Sequence, residues 1–212
     1  MSIIQSITVS LVTVATTLGG GWLVTTRITD YWDQVKKNRE INLTAAKDFQ
    51  RLYGDAVAIW KTWNALKGDY AVTFTTPEHA RWDCLLRATA AEGEIESFLA
   101  KLSAERVLSS ENIAMLGSLR QAFKSVRRAI RKDEPLPWRS DNVKEYASFK
   151  SLAAAMSVLL TSRTHAGKRP DATEAAWAFQ QITANYHEQS WVDAARHFIS
   201  AGNLDRRPAT AT

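Results

Sequence analysis

Charge is absent from the start of this chain: residues 1–26 hold no Asp, Glu, Lys or Arg. Cysteine is almost absent too. A single thiol, Cys84, excludes an internal disulfide framework and fits a reducing compartment for the soluble part. The signatures of common catalysts are missing as well. No GxGxxG, Walker-type phosphate loop, GxSxG elbow or HExxH occurs, so none of those four routes to cofactor, nucleotide, acyl or zinc chemistry is indicated. Between Arg27 and Leu66 there is no proline and one glycine, Gly54, so nothing local breaks a helix there. Sustained alternation of period two is lacking, apart from the short Tyr70–Phe74, which reads as a loop or minor strand.

What is present defines a chain of one domain plus a leading segment. Its 212 residues suffice for one sizeable core. The net charge of +5 and pI near 9.4 permit a polyanionic partner without requiring one. Eight tryptophans are many for this length; core volume, interface anchors and membrane belts all use them.

The uncharged segment reads as a membrane anchor. As a helix, Ile3–Thr26 spans about 36 Å, more than a hydrocarbon core of roughly 30 Å requires. A signal peptide is the competing reading, but MSIIQS has no basic side chain, and Trp22 and further apolar residues follow Gly19-Gly20-Gly21. Arg27, Lys36, Lys37 and Arg39 come after the segment and no Lys or Arg precedes it. The C-terminal side is therefore expected in the cytoplasm, with Trp22, Arg27, Tyr31 and Trp32 at the membrane interface.

For an anchor the segment is polar, with Gln5 and eight Ser/Thr residues. Ser6, Ser10, Thr13, Thr17 and Gly20 recur at steps of four and three and share one helix face. Small and hydroxyl residues let helices approach closely and bond across the contact. The face therefore serves either as a packing seam in a homo-oligomer or as the lining of a narrow polar pore within a ring of copies.

The remainder predicts an all-α fold, with the anchor helix continuing directly into a cytoplasmic bundle of about five helices. Phe49, Leu52, Ala56, Ile59/Trp60, Trp63 and Leu66 form the first apolar stripe, ended by Lys67-Gly68-Asp69. Thr76-Pro77-Glu78 opens a second helix carrying Trp82, Leu85, Leu86, Phe98, Leu99 and Leu102. Ser110 opens a third, with Ile113, Leu116, Leu119, Phe123, Val126 and Ile130 on its apolar side, and Pro135-Leu136-Pro137 breaks the chain. Ser140 or Asp141 caps a fourth helix, which carries Val143, Tyr146, Phe149, Leu152, Met156, Leu159 and Leu160. Asp171 with Glu174 begins a last helical stretch through Trp177, Ile182, Tyr186, Trp191 and Phe198, bending near Ser190. The expected division is an anchor at 1–26, a stalk and helical bundle at 27–202, and a disordered tail at 203–212.

Candidate chemistry is sparse. His79, Asp83 and Cys84 lie close enough on one helix to suggest a metal, but three ligands without a second cluster read better as surface polar residues, so no metal or cofactor is expected. A ribonuclease of the HEPN type needs an Arg followed by His after four to six spacers. Arg163-Thr164-His165 and Arg196-His197 are too close, so no catalytic residue is assigned. The third helix is the best soluble feature. Arg120, Lys124, Arg127, Arg128 and Arg131 follow one another at near-helical spacing, and residues 120–139 carry a net +5 that leaves the rest of the chain balanced. Such a face binds nucleic-acid phosphates, anionic lipid or an acidic protein partner, or is simply solvated.

In its layout of N-terminal span Ile3–Thr26, continuous stalk to Leu66 and helical bundle, the chain resembles small membrane-anchored effector and accessory proteins of bacterial antiviral loci, such as the HEPN-like membrane protein that accompanies Cas13b. The resemblance implies an oligomeric, non-enzymatic, membrane-permeabilising effector at the bacterial inner membrane, with membrane lipid, further copies of itself and a defence-system partner around it. The alternative is a membrane-tethered adaptor that holds a nucleic acid or protein through the basic helix.

Overall fold

The computed structural model describes residues 3–68, 78–136, 138, 144–161, 169–185 and 191–195; within these, side chains are described from residue 27 onward, except at 28, 34, 38, 68 and 144. All regular structure among the described residues is helical. In order it comprises α1 (Ile3–Gly68), α2 (Glu78–Glu105), α3 (Ser110–Lys132), α4 (Lys144–Thr161), α5 (Ala172–Thr183) and a short α6 at 191–195. The expected all-α bundle is therefore present, with one short helix more than the sequence suggested. Tyr70–Phe74, the caps Thr76 and Ser140/Asp141, and the tail 203–212 lie outside the described residues.

The chain divides into two units, Met1–Leu43 and Thr44–Thr212. In the first, α1 is one helix whose described apolar side chains Tyr31, Trp32 and Val35 are exposed, the two rings meeting edge to face at 6.2 Å. Among the described residues no helix is long and apolar enough to cross a membrane. The anchor read in Ile3–Thr26 falls where side chains lie outside the description.

The second unit holds the core. From α1 it takes Phe49, Leu52, Ala56, Ile59, Trp60 and Trp63, all buried, while Leu66, the last residue of the expected stripe, is half-buried against them. Helix α3 is the central element and packs against α2, α4 and α5. Its six expected apolar positions are buried, and so are Ser118, Arg120, Gln121 and Ala122, so burial extends well beyond one stripe. This is the outcome of a helix enclosed by neighbours on more than one side.

Helix ends follow local chemistry. Helix α3 opens at Ser110 as expected, and Ser109 caps it by accepting from the Asn112 N–H at 3.2 Å. At the other end Asp133 adopts the left-handed conformation (φ 59°). Its N–H donates to Ile130 O at 3.1 Å, and the Glu134 N–H reaches Ala129 O at 2.9 Å. Glycine usually fills this position; aspartate tolerates it, and here Lys67 Nζ holds its carboxylate at 2.6 Å. The Pro135-Leu136 segment then turns back into the core. Trp63 Nε1 donates to Glu134 O at 2.8 Å, and Asn64 exchanges two hydrogen bonds with the Leu136 backbone, at 2.6 and 3.2 Å. This delivers Trp138 into a cluster with Trp60, Phe149 and Trp191, ring centres 5.4–6.0 Å apart. The sequence marked this stretch only as a break. In fact it supplies two core residues, Leu136 and Trp138.

One expectation is corrected. The last helical stretch does not run to Ser190: α5 stops at Thr183, and Ala184 is extended (φ −60°, ψ 141°). Stopping there lets the chain return and bury Trp191 and Ala195. Trp82 and Leu86 of α2 and Trp177 of α5, large apolar residues of the expected helices, are 55%, 63% and 52% exposed. The inner side of α2 is filled by smaller groups, Cys84, Ala88 and Ala91, which leave the adjacent large residues outside.

Candidate functional site

The basic row of α3 is the part of the described chain richest in placed charge. Arg120 is buried, with Nη2 donating to Glu96 Oε1 at 3.0 Å and Nη1 to Thr183 O at 3.3 Å. Lys124 Nζ donates to Asn185 Oδ1 at 3.3 Å. Arg127 pairs with Glu92 through two nitrogens, Nη2 lying 3.2 Å from Oε1. Arg128 is half-buried, and Arg131 is exposed. The five cations thus share α3 but do not form one open face. Three are turned inward because the row lies beside the contacts of α3 with α2 and α5. Burial, followed by the neighbouring Arg120 and Arg128, holds the Lys124 ammonium below the usual lysine range, with Glu92 opposing.

Sequence reasoning missed why these cations sit where they do. The last carbonyls of a helix have no amide partners and carry partial negative charge. Arg120 supplies a donor to that end of α5. Arg106 does the same for α4, donating to Leu159 O at 2.7 Å and Leu160 O at 3.3 Å. Arg81 serves α3, reaching Ile130 O at 3.3 Å and Arg131 O at 2.7 Å. One signal was available: Arg106 is the sole charge in Arg106-Val107-Leu108-Ser109-Ser110, the short link between two helices. Its guanidinium pKa is lowered by burial, partly offset by Glu105.

The remaining candidates separate. Cys84 is buried and its thiol is pushed up, first by burial and then by Asp83; His79 and Asp83 are exposed, so the three do not converge. Among the described residues no group of three or more metal-binding side chains occurs. Ser6, Ser10, Thr13, Thr17 and Gly20 stand at one register along the α1 backbone, and their side chains, like that of Trp22, lie outside the description. Arg27, Tyr31 and Trp32 are exposed on α1. Between α1 and α4, Phe49, Tyr53, Lys150, Ala153 and Ser157 help line a shallow depression of about 210 Å³; the Ser157 hydroxyl donates to Ala153 O at 2.9 Å.

No family model, curated protein or solved structure matches this chain.

Proposed function

We propose that this protein is a single-pass membrane protein of the bacterial inner membrane whose copies associate through α1 and permeabilise the bilayer, as an effector of antiviral defence. The observation that carries this reading is the character of α1. One helix joins an uncharged N-terminal segment of spanning length to the first helix of the bundle core. On that segment Ser6, Ser10, Thr13, Thr17 and Gly20 keep one heptad register. A plain tether has no use for such a stripe, whereas neighbouring helices or a narrow water path do. Exposed Tyr31 and Trp32, just beyond Arg27, suit the cytoplasmic interface of such a span. The assignment to defence rests on the resemblance in layout alone.

The test is dye release from liposomes holding the full-length protein. Wild type releases the dye, and Thr13→Leu with Thr17→Leu abolishes release while membrane insertion persists. Equal release from both proteins would contradict a conducting hydroxyl face. The adaptor alternative draws on α3, where Arg120 and Arg127 already pair with Glu96 and Glu92. In the arrangement described, that face has less support as a docking surface.

A further inference from the structure

Helix α2 has an uncharged face on each side. The inner one, with Cys84, Ala88, Ala91, Ile95, Leu99 and Leu102, meets the core. On the opposite side Trp82, Leu86, Ala90, Gly93, Ser97 and Ala100 follow one another at steps of three and four residues and share a second face. Trp82 is 55% exposed and Leu86 63%; Ala90, Gly93 and Ser97 are exposed as well, and Ala100 is half-buried. A helix usually turns charge toward water, but here Asp83, Arg87, Glu94 and Lys101 stand along one flank of the face and not on it. Nothing within the chain calls for glycine at 93, where a Cβ would meet no atom within 4 Å. Glycine weakens a helix interior relative to alanine, and the close approach of another helix supplies a reason for one.

Side-chain size falls along this face. Trp82 and Leu86 fill its N-terminal half and Ser97 and Ala100 its C-terminal half, with Ala90 and Gly93 between them. Turned end over end about a point between Ala91 and Glu92, the face fits itself. Trp82 then comes level with the partner's Ala100, Leu86 with the partner's Ser97, and Ala90 with the partner's Gly93, so each large group faces a small one. On the flank, Asp83 comes level with the partner's Lys101. A twofold contact is isologous, so each of these pairings occurs twice. Running the two helices in the same direction instead sets ring against ring at Trp82 and opposes like charges at Asp83 and at Lys101.

We propose that two copies of this chain pair antiparallel through the outer face of α2, with Ala90 and Gly93 at the crossing. The occupant is a second copy because the face complements itself in both size and charge. Trp82 lies outside the core, so it serves this contact and not the fold of the single chain. The pairing is separate from the association through α1 and holds or fails without it.

The test is disulfide trapping of the full-length protein in detergent, where no bilayer fixes the direction of each copy. Leu86→Cys and Ser97→Cys are made in separate chains, mixed and oxidised; Cys84 is buried and stays out of the reaction. The mixture should give a cross-linked dimer and neither variant alone should, because the same position in two antiparallel copies is about 16 Å apart along the helix. Cross-linking of either variant with itself, or none in the mixture, would overturn the proposal. Gly93→Leu, added to both chains, has open space in the single chain and should abolish the dimer with circular dichroism unchanged. A dimer that persists would overturn it too. Asp83→Lys or Lys101→Asp, added to both chains, should lower the yield about threefold, and the two together should restore it. The two positions are about 27 Å apart in one chain, so that recovery can arise only between chains. A double change no better than either single one would contradict the pairing.

Discussion

Arg106 Nη1 donates to the carbonyl oxygen of Leu159 at 2.7 Å, joining the residue that follows α2 to the last turn of α4 across 53 positions of sequence. The same guanidinium reaches Leu160 O. Because Arg106 is 6% exposed, water cannot replace it easily. Arg106→Leu leaves those acceptors without this donor, and each buried group so stranded costs about 1–3 kcal/mol. The expected result is a loss of roughly 2–4 kcal/mol in urea unfolding. Arg106→Lys, with a point charge in place of the planar fork, should recover part of it. An unchanged midpoint for Arg106→Leu would remove the capping role.

The tryptophans should divide sharply. Trp63 is fully buried and hydrogen-bonded to Glu134 O, so Trp63→Ala removes a large packed ring and should cost about 3–5 kcal/mol. Trp82→Ser and Trp177→Ser act on exposed rings and should stay within about 0.5 kcal/mol of the parent. Thermal unfolding of the three variants checks the contrast. Similar losses in all three would mean that α2 and α5 pack differently from the arrangement described.

Much of this fold was legible from periodicity. In the stripes of α1, α3 and α4 the large apolar residues at three- and four-residue steps are mostly buried; Leu66 and Tyr146 are half-buried, and Val143 lies outside the described residues. On α2 the residues named divide: Leu99 and Leu102 are buried, while Trp82 and Leu86 are exposed. Trp82 and Leu86 have the right residue type, but Cys84 and Ala88 occupy the inner face, and periodicity cannot tell which of two adjacent stripes meets a neighbour. Trp138 was invisible for another reason: it lies in a proline-flanked link where no repeat exists to mark it. The basic row was found by spacing, but its partners were not. Glu92, Glu96, Thr183 and Asn185 belong to other helices or their ends, and only packing brings them to Arg120, Lys124 and Arg127.

Gln121 marks a polar position that the fold leaves poorly served. It is 2% exposed on α3, and among the described residues its Nε2 has no hydrogen-bond partner. A buried donor in that state carries its full desolvation cost, so an apolar side chain of similar volume should fit the site better. Gln121→Leu is expected to stabilise the protein by about 1 kcal/mol, seen as a higher midpoint in chemical unfolding with an unchanged slope. A lower midpoint would show that the amide makes a contribution its surroundings do not reveal.

The central claim is that copies of α1 associate in the membrane, and the most direct measurement is the mass of the detergent-extracted, full-length protein, corrected for bound detergent. The account predicts a defined assembly of several 23.7 kDa chains that falls apart when Thr13 and Thr17 become leucine. A wild-type protein that is monomeric across the concentrations measured would contradict it.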